Sequence, residues 1–405
     1  MLNTLLLNTL DSNSYLYHIS RKQKITVISK GLFMARITDR EFQILNWIKE
    51  NPLISQEELA SLAGISRSSV SVHVSNLMKK GVIVGKGYVL QEQPYICVIG
   101  AAFVDIIGTP RAPLLKGEST PGAVETALGG VGRNQAVNMK LLGLDVRLIS
   151  ALGEDVYATK IKDNCHALNI DITESITIQN GTTPTFLSIL TPEGKVYLGI
   201  SAIEMFDRLT PEFISSRERT INQAKVCVTE TNLCESSLEE LAKICKVPIF
   251  AETISVAKAG RLSKILSRIH TLKTTRAELE VLLKMPIQTR QDLKQAGDQL
   301  LAFGMKRLFV TLDNSVYVRS QEEQIFLDYF PTHVVNRTGE HDSFMAALVW
   351  AYVNDFDLTD AALAGVAAAS ICFESNNAVN ESLSVMKIQE YILRFAKDRF
   401  GNVSI

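Results

Sequence analysis

Three things are scarce in this 405-residue chain: it has no apolar run of bilayer-spanning length, no Cys-x-x-C spacing among its six cysteines, and almost no net charge. The missing span argues against a membrane protein. The cysteines (Cys97, Cys165, Cys227, Cys234, Cys245, Cys372) are scattered, mostly inside apolar runs. They read as free thiols of a reducing cytoplasm, with neither a disulfide framework nor a zinc site. A formal charge of -1 gives no global pull towards nucleic acid or membrane, so such a partner has to be met by a local patch. Internal repeats and low-complexity stretches are absent too. The first segment lacks the compact apolar core and cleavage site of a signal peptide. Residues 1–35 are expected to be a disordered tail or an over-extended start, with Met34 as an alternative first residue.

What is present is a large apolar fraction, 46% of residues, in a chain too long for one ordinary core, which implies two domains. Residues 36–91 form the first. A helical pattern through Phe42, Leu45, Trp47 and Ile48 stops at Asn51-Pro52. Ser55-Gln-Glu-Glu58 is a capping box, Gly64 makes a tight turn, and Ser66 caps a third helix with Val70, Val74 and Leu77 facing inward. Residues 82–90 alternate around Gly85-Lys86-Gly87 as a β-hairpin. This order resembles the winged helix-turn-helix of bacterial regulators. Arg67, Ser68, Ser69, Ser71, Lys79, Lys80 and Lys86 are the candidate contacts to double-stranded DNA, because no Asp or Glu falls between Leu59 and Leu90. A winged-helix module used only for protein contact is the alternative.

Beyond the polar linker at 91–94, strands and helices alternate up to residue 400, which implies a mostly parallel, doubly wound α/β sheet. Residues 95–105 read as one buried strand ending in Asp105. Two glycine turns open apolar helices. The early one is Gly129-Gly130-Val131-Gly132-Arg133-Asn134. The late one is Thr338-Gly339-Glu340-His341-Asp342, where backbone N–H groups at a helix start can hold an anion and a neighbouring carboxylate can take a proton.

Together these turns resemble the ribokinase family of carbohydrate and nucleoside kinases, over residues 95–400. Within it, Gly-Gly-Val-Gly-Arg-Asn and the segment Glu374-Ser-Asn-Asn-Ala-Val-Asn380 look most like the pseudouridine kinase branch. The resemblance implies an ATP-dependent kinase with a small β-sheet lid from residues 109–128 and 182–200 that closes over the sugar and often builds a dimer contact. Asp342 takes the place of the catalytic base, and Gly339, Glu340 and His341 that of the anion hole. Asp105, Gly129, Gly130 and Asn134 match the substrate side. Thr275, Glu278, Thr311 and Asn377 match the nucleotide side, with Glu278 ordering Mg2+. The resemblance also leaves room for a monovalent cation such as K+.

The chain departs from the family where Thr-Gly-Ala-Gly-Asp becomes Thr-Gly-Glu340-His341-Asp, which sets a carboxylate beside a site for anions. Thr275 replaces a usual Asn, and Glu230 and Glu252 stand where Asp is common. Two functions follow as expectations: a cytoplasmic, homodimeric sugar or nucleoside kinase fused to a transcription regulator, or a ligand-sensing regulator whose kinase domain has lost turnover.

Overall fold

Thr38 starts the first helix, α1 (Asp39–Glu50), by a reciprocal capping box: its hydroxyl accepts from Glu41 N–H while Glu41 accepts from Thr38 N–H. Ser55 and Glu58 repeat the device for α2 (Gln56–Ala63). Gly64, at φ 62°, ends α2 in a conformation that favours glycine, and Ser66 caps α3 (Arg67–Lys79). Ile44, Ile48, Leu59, Val70 and Leu77 are each fully buried and make the core of these helices. The computed structural model describes residues 37–83, 94–192, 195–330 and 332–400, and the chain divides into two compact units between Gln93 and Pro94. The expected tail at 1–35 and most of the hairpin with Lys86 lie outside the described residues.

In the larger unit the strands are β1 (Ile96–Ile99), β2 (Phe103–Pro110), β3 (Gly122–Gly129), β4 (Val146–Ile149), β5 (Ala151–Leu152), β6 (Ile176–Thr177), β7 (Thr185–Leu190) and β8 (Val196–Ala202). They continue as β9 (Val226–Glu230), β10 (Ile249–Glu252), β11 (Ile269–Thr275), β12 (Arg307–Thr311), β13 (Ser315–Arg319) and β14 (Gln324–Asp328). The main sheet runs β14-β13-β12-β11-β10-β9-β1-β4, parallel from β4 to β12 and antiparallel at β13 and β14. Its short central strands are continuously buried because both faces are covered, so they are apolar runs without alternation. The chain leaves β1 for β4 on one side and later places β9 on the other. The β1/β9 boundary is therefore the switch point, where open α/β sheets leave a crevice at their carboxyl edge.

A second sheet, ordered β3-β2-β7-β8, takes β3, β7 and most of β8 from the two segments expected to form a lid and adds β2 from just before the first. One boundary differs from expectation. Residues 95–105 are two strands in two sheets, because the chain turns at Gly100–Ala102. The Ala101 N–H donates to Glu230 Oε1 at 2.7 Å, and a Cβ on Gly100 would come within 3.0 Å of Gly132. Asp105 thus belongs to the small sheet. Two further helices, α4 (Val131–Leu141) and α5 (Val156–Ala167), follow the early turn. α6 (Arg276–Leu283), α7 (Glu340–Val353) and α8 (Leu358–Phe373) complete the set used below. α7 and α8 pack on each other and are buried along nearly their whole length, as their Ala-rich, uncharged runs require. Among the described residues all six cysteines are free, and no helix is long and apolar enough to cross a membrane.

Candidate active site

The helices beginning at the two glycine turns differ from most others in the protein by having no side-chain cap. Gly130 precedes α4 at φ 100° and Gly339 precedes α7 at φ 84°. Neither position accepts a side chain. A Cβ on Gly130 would lie 2.4 Å from Ala101 O, and one on Gly339 would lie 1.8 Å from Ala378 O. The second clash shows that the 374–380 segment packs onto the late turn, where Asn336 Nδ2 also donates to Asn376 O at 3.0 Å. No side chain caps the N–H groups opening α7; the N–H of Glu340 reaches Arg337 O at 3.4 Å, and the positive end of the helix lies behind them.

α4 and α7 pack together, and Asn134 Nδ2 donates to Asp342 Oδ2 at 3.0 Å across 208 residues of sequence. Both side chains are buried, and Gly129 backs the same region: a Cβ there would sit 2.1 Å from Asp105 Oδ2. Burial pushes the Asp105 carboxyl up to about 6 against the pull of the Arg133 guanidinium. Asp342 is held well above the usual carboxylate range, first by burial and then by the Glu252 carboxylate, with the Asn134 hydrogen bond and Lys273 opposing.

Around Asp342 stand residues that sequence reasoning did not assign to the site. Glu252 ends β10 and Lys273 lies opposite it on β11, both buried, with Nζ 3.1 Å from Glu252 Oε1. Gln135 Nε2 donates to the other Glu252 oxygen at 2.6 Å. Glu230, raised by burial, ends β9 and receives N–H groups from Ala101 and Asn232. A glutamate closing a buried strand was the sequence signal for Glu230 and Glu252.

Glu340 is only 7% exposed: its Oε1 lies 3.3 Å from His341 Nε2, and its Oε2 has Arg337 at 3.7 Å but no hydrogen bond. Burial raises its pKa, with Lys273 and Arg337 pulling the other way. His341 Nδ1 reaches 3.8 Å from Glu252. The carboxylate expected to disturb the cradle is therefore packed among cations and a histidine.

The remaining assigned residues lie farther along the sheet edge. Thr275 and Thr311 are register partners at the ends of β11 and β12. Thr275 caps α6, and Glu278 Oε2 accepts from Thr275 N–H at 2.9 Å and from Thr253 Oγ1 at 2.7 Å, so one carboxylate oxygen is committed to the fold. Asn377 is exposed in the segment packed on Gly339. Among the described residues no three His, Cys, Asp or Glu side chains gather as a metal cage.

In the N-terminal unit Arg67, Ser68, Ser71 and Lys79 are exposed on α3. Ser68 and Ser69 share hydrogen bonds with the capping Ser66 hydroxyl, and Arg67 pairs with Glu57 at 3.4 Å. Lys80 Nζ sits 2.6 Å from the buried Glu41 carboxylate, a contact that ties α3 to α1.

Comparison with known proteins fits this geometry. A family described as pfkB family carbohydrate kinase matches residues 93–384, and one described as winged helix-turn-helix DNA-binding matches residues 37–84. The chain is 35% identical to an uncharacterized sugar kinase, YeiI, of Escherichia coli (strain K12), over 86% of this chain and 97% of the other. It is 27% identical to the pseudouridine kinase of the same organism, over 74% and 96%. The structure of Arabidopsis thaliana ribokinase with ribose and ATP superposes with a TM-score of 0.67 at 23% identity, over 74% of this chain and 98% of that one. The α/β unit is thus ribokinase-like in fold.

Proposed function

The chain belongs to the pfkB family of carbohydrate kinases and carries an N-terminal winged helix-turn-helix, and from that premise we propose that it phosphorylates a hydroxyl of a sugar or nucleoside of the pseudouridine class with ATP. We propose further that the N-terminal unit binds double-stranded DNA and regulates transcription. The observation carrying the kinase reading is the Asn134–Asp342 hydrogen bond, which joins the start of the early helix to the start of the late one. In this reading Asp342 accepts the proton of the attacking hydroxyl, and the uncapped start of α7 at Gly339, Glu340 and His341 holds the transferring phosphoryl charge. Asp105, Gly129, Gly130 and Asn134 hold the substrate.

Thr275, Thr311 and Asn377 border the nucleotide. ATP bound with Mg2+ supplies the phosphoryl group and a cation that neutralises its oxygens. The residues suit such a group: Mg2+ binds through phosphates, water and one or two carboxylates, and Glu278 keeps one oxygen outside its capping box. The small sheet closes over the substrate to exclude water. Its edge strand β8 is exposed at all seven positions and carries Val196, Leu198 and Ile200, an apolar edge that a second copy would cover in a homodimer.

A panel of sugars and nucleosides with Mg-ATP in a coupled phosphotransfer assay tests the kinase. The buried, incompletely bonded Glu340 favours a second reading, a ligand sensor without turnover. The readings part on Glu340→Ala with His341→Gly. Turnover by the wild type that the double change does not raise supports the kinase. An inert wild type that the double change activates establishes the sensor.

For DNA, Arg67→Glu with Lys79→Glu should abolish binding while ligand affinity stays unchanged. Wild-type affinity should fall about 10-fold or more as salt rises from roughly 50 to 200 mM. Lys80 is left in place because its charge-reversed form would face Glu41. Retention of the double variant on DNA would sink the regulator half of the proposal.

A further inference from the structure

We infer that Arg133 is a positioning residue for phosphoryl transfer, fixing the Asn134 amide in the one orientation that lets it donate to Asp342. The inference rests on the reading of Asp342 as the base. Arg133 is itself locked in place: its backbone N–H donates to Ala101 O at 3.0 Å, NH1 to Leu128 O at 3.0 Å, and NH2 to Asn164 Oδ1 of α5 at 2.7 Å. NH1 also donates to Asn134 Oδ1 at 3.1 Å, while Asn134 Nδ2 donates to Asp342 at 3.0 Å. All three side chains are buried, at 7%, 5% and 6% exposure, so water does not compete for these partners.

The chemistry of the three groups makes the orientation unique. A guanidinium has only donors, an ionised carboxylate has only acceptors, and an amide offers one side of each. Turning the Asn134 amide over would set N–H against N–H and carbonyl against carboxylate. Both hydrogen bonds would become repulsions. With Arg133 in place, Asp342 Oδ2 is occupied and its second oxygen is left for the substrate hydroxyl. Without Arg133 the amide can rotate, and Asp342 loses the donor that opposes burial and Glu252 in favouring its ionised form. Lys at 133 would keep the charge but lacks the planar fork that reaches Leu128, Asn134 and Asn164 together.

The test uses the full-length protein with Arg133→Met, Arg133→Lys, Asn134→Ala and the Met/Ala double variant. Arg133→Met should lower kcat about tenfold, the worth of one buried hydrogen bond, with Arg133→Lys in between, and raise KM no more than Asn134→Ala does, since Asn134 also holds the substrate. Introduced into Asn134→Ala protein, the same change should cost little further, since it acts through that amide. Equal losses in both backgrounds, or a loss carried by KM with kcat unchanged, would overturn the inference. Should the Met variant not fold, the Lys variant carries the same comparison. The side-chain amide of Asn134, followed by NMR in asparagine-labelled protein, reads the orientation without turnover. Its protons should exchange slowly in the wild type and faster in either Arg133 variant, and equal exchange would overturn the relay. A wild type without turnover refutes the base assignment of Asp342 alone, leaving amide exchange to decide the relay.

Discussion

Replacing Asp342 with Asn should cut kcat about 10³-fold, leave substrate affinity within a few-fold, and raise the melting temperature at neutral pH. If Asp342 is the proposed base, the loss follows from removing the carboxylate that Asn134 holds at the start of α7, while the shape is kept: the new amide oxygen still accepts from Asn134 Nδ2. The gain in stability follows from linkage. A carboxyl whose folded pKa is raised favours the folded state at low pH, and that advantage is lost as pH rises through its raised value. At neutral pH the buried Asp342, beside Glu252, is therefore a cost that Asn relieves. Coupled assay, calorimetric titration and thermal melting check the three outcomes. Unchanged kcat would remove Asp342 from the chemistry. An Asn variant that melts lower would show the carboxylate to be well solvated by its partners.

The second large effect is on Lys273, only 1% exposed and paired with Glu252. Lys273→Met should destabilise the larger unit by about 3–5 kcal/mol, because it leaves Glu252 buried without its ammonium partner. The same ammonium lowers the pKa values of Asp342 and Glu340, so its loss pushes both further up. Pairing the change with Glu252→Gln should restore most of the stability, since neither charge then remains while Gln135 can still donate to the new side-chain oxygen. Denaturant unfolding of the three variants decides it. A Lys273→Met loss below about 1 kcal/mol would mean that the Lys273–Glu252 pair contributes little to the stability of the fold.

Particular residues show what was legible in the sequence. Ser55 and Ser66 announced their helices because cap chemistry is local, within three residues. The glycine turns were legible for the same reason: Gly130 and Gly339 are required by backbone geometry, whatever the rest of the chain does. Asp105 was assigned to the wrong strand, since the turn at Gly100–Ala102 is fixed by Glu230, a residue 129 positions from Ala101. Glu252 was noted only as a departure from the family, and Lys273 and Gln135 were given no role, because their meaning is mutual. A buried lysine is intelligible only beside the glutamate that neutralises it, and that pairing is made by strand register. Lys80 was read as a DNA contact from its place in a basic stretch, whereas its ammonium holds Glu41 of α1.

The 208-residue separation between Asn134 and Asp342 also sets an order of events on the ribosome. At roughly 5–20 residues per second, the residues of the early turn are made about 10–40 s before the carboxylate that Asn134 bonds. The helices of the N-terminal unit, which draw their core from one another, are made earlier still. A message broken off before Asp342 therefore encodes α1 to α3 with an incomplete site, and translation itself passes through a stage at which the helices of the N-terminal unit have been made and the α/β unit has not.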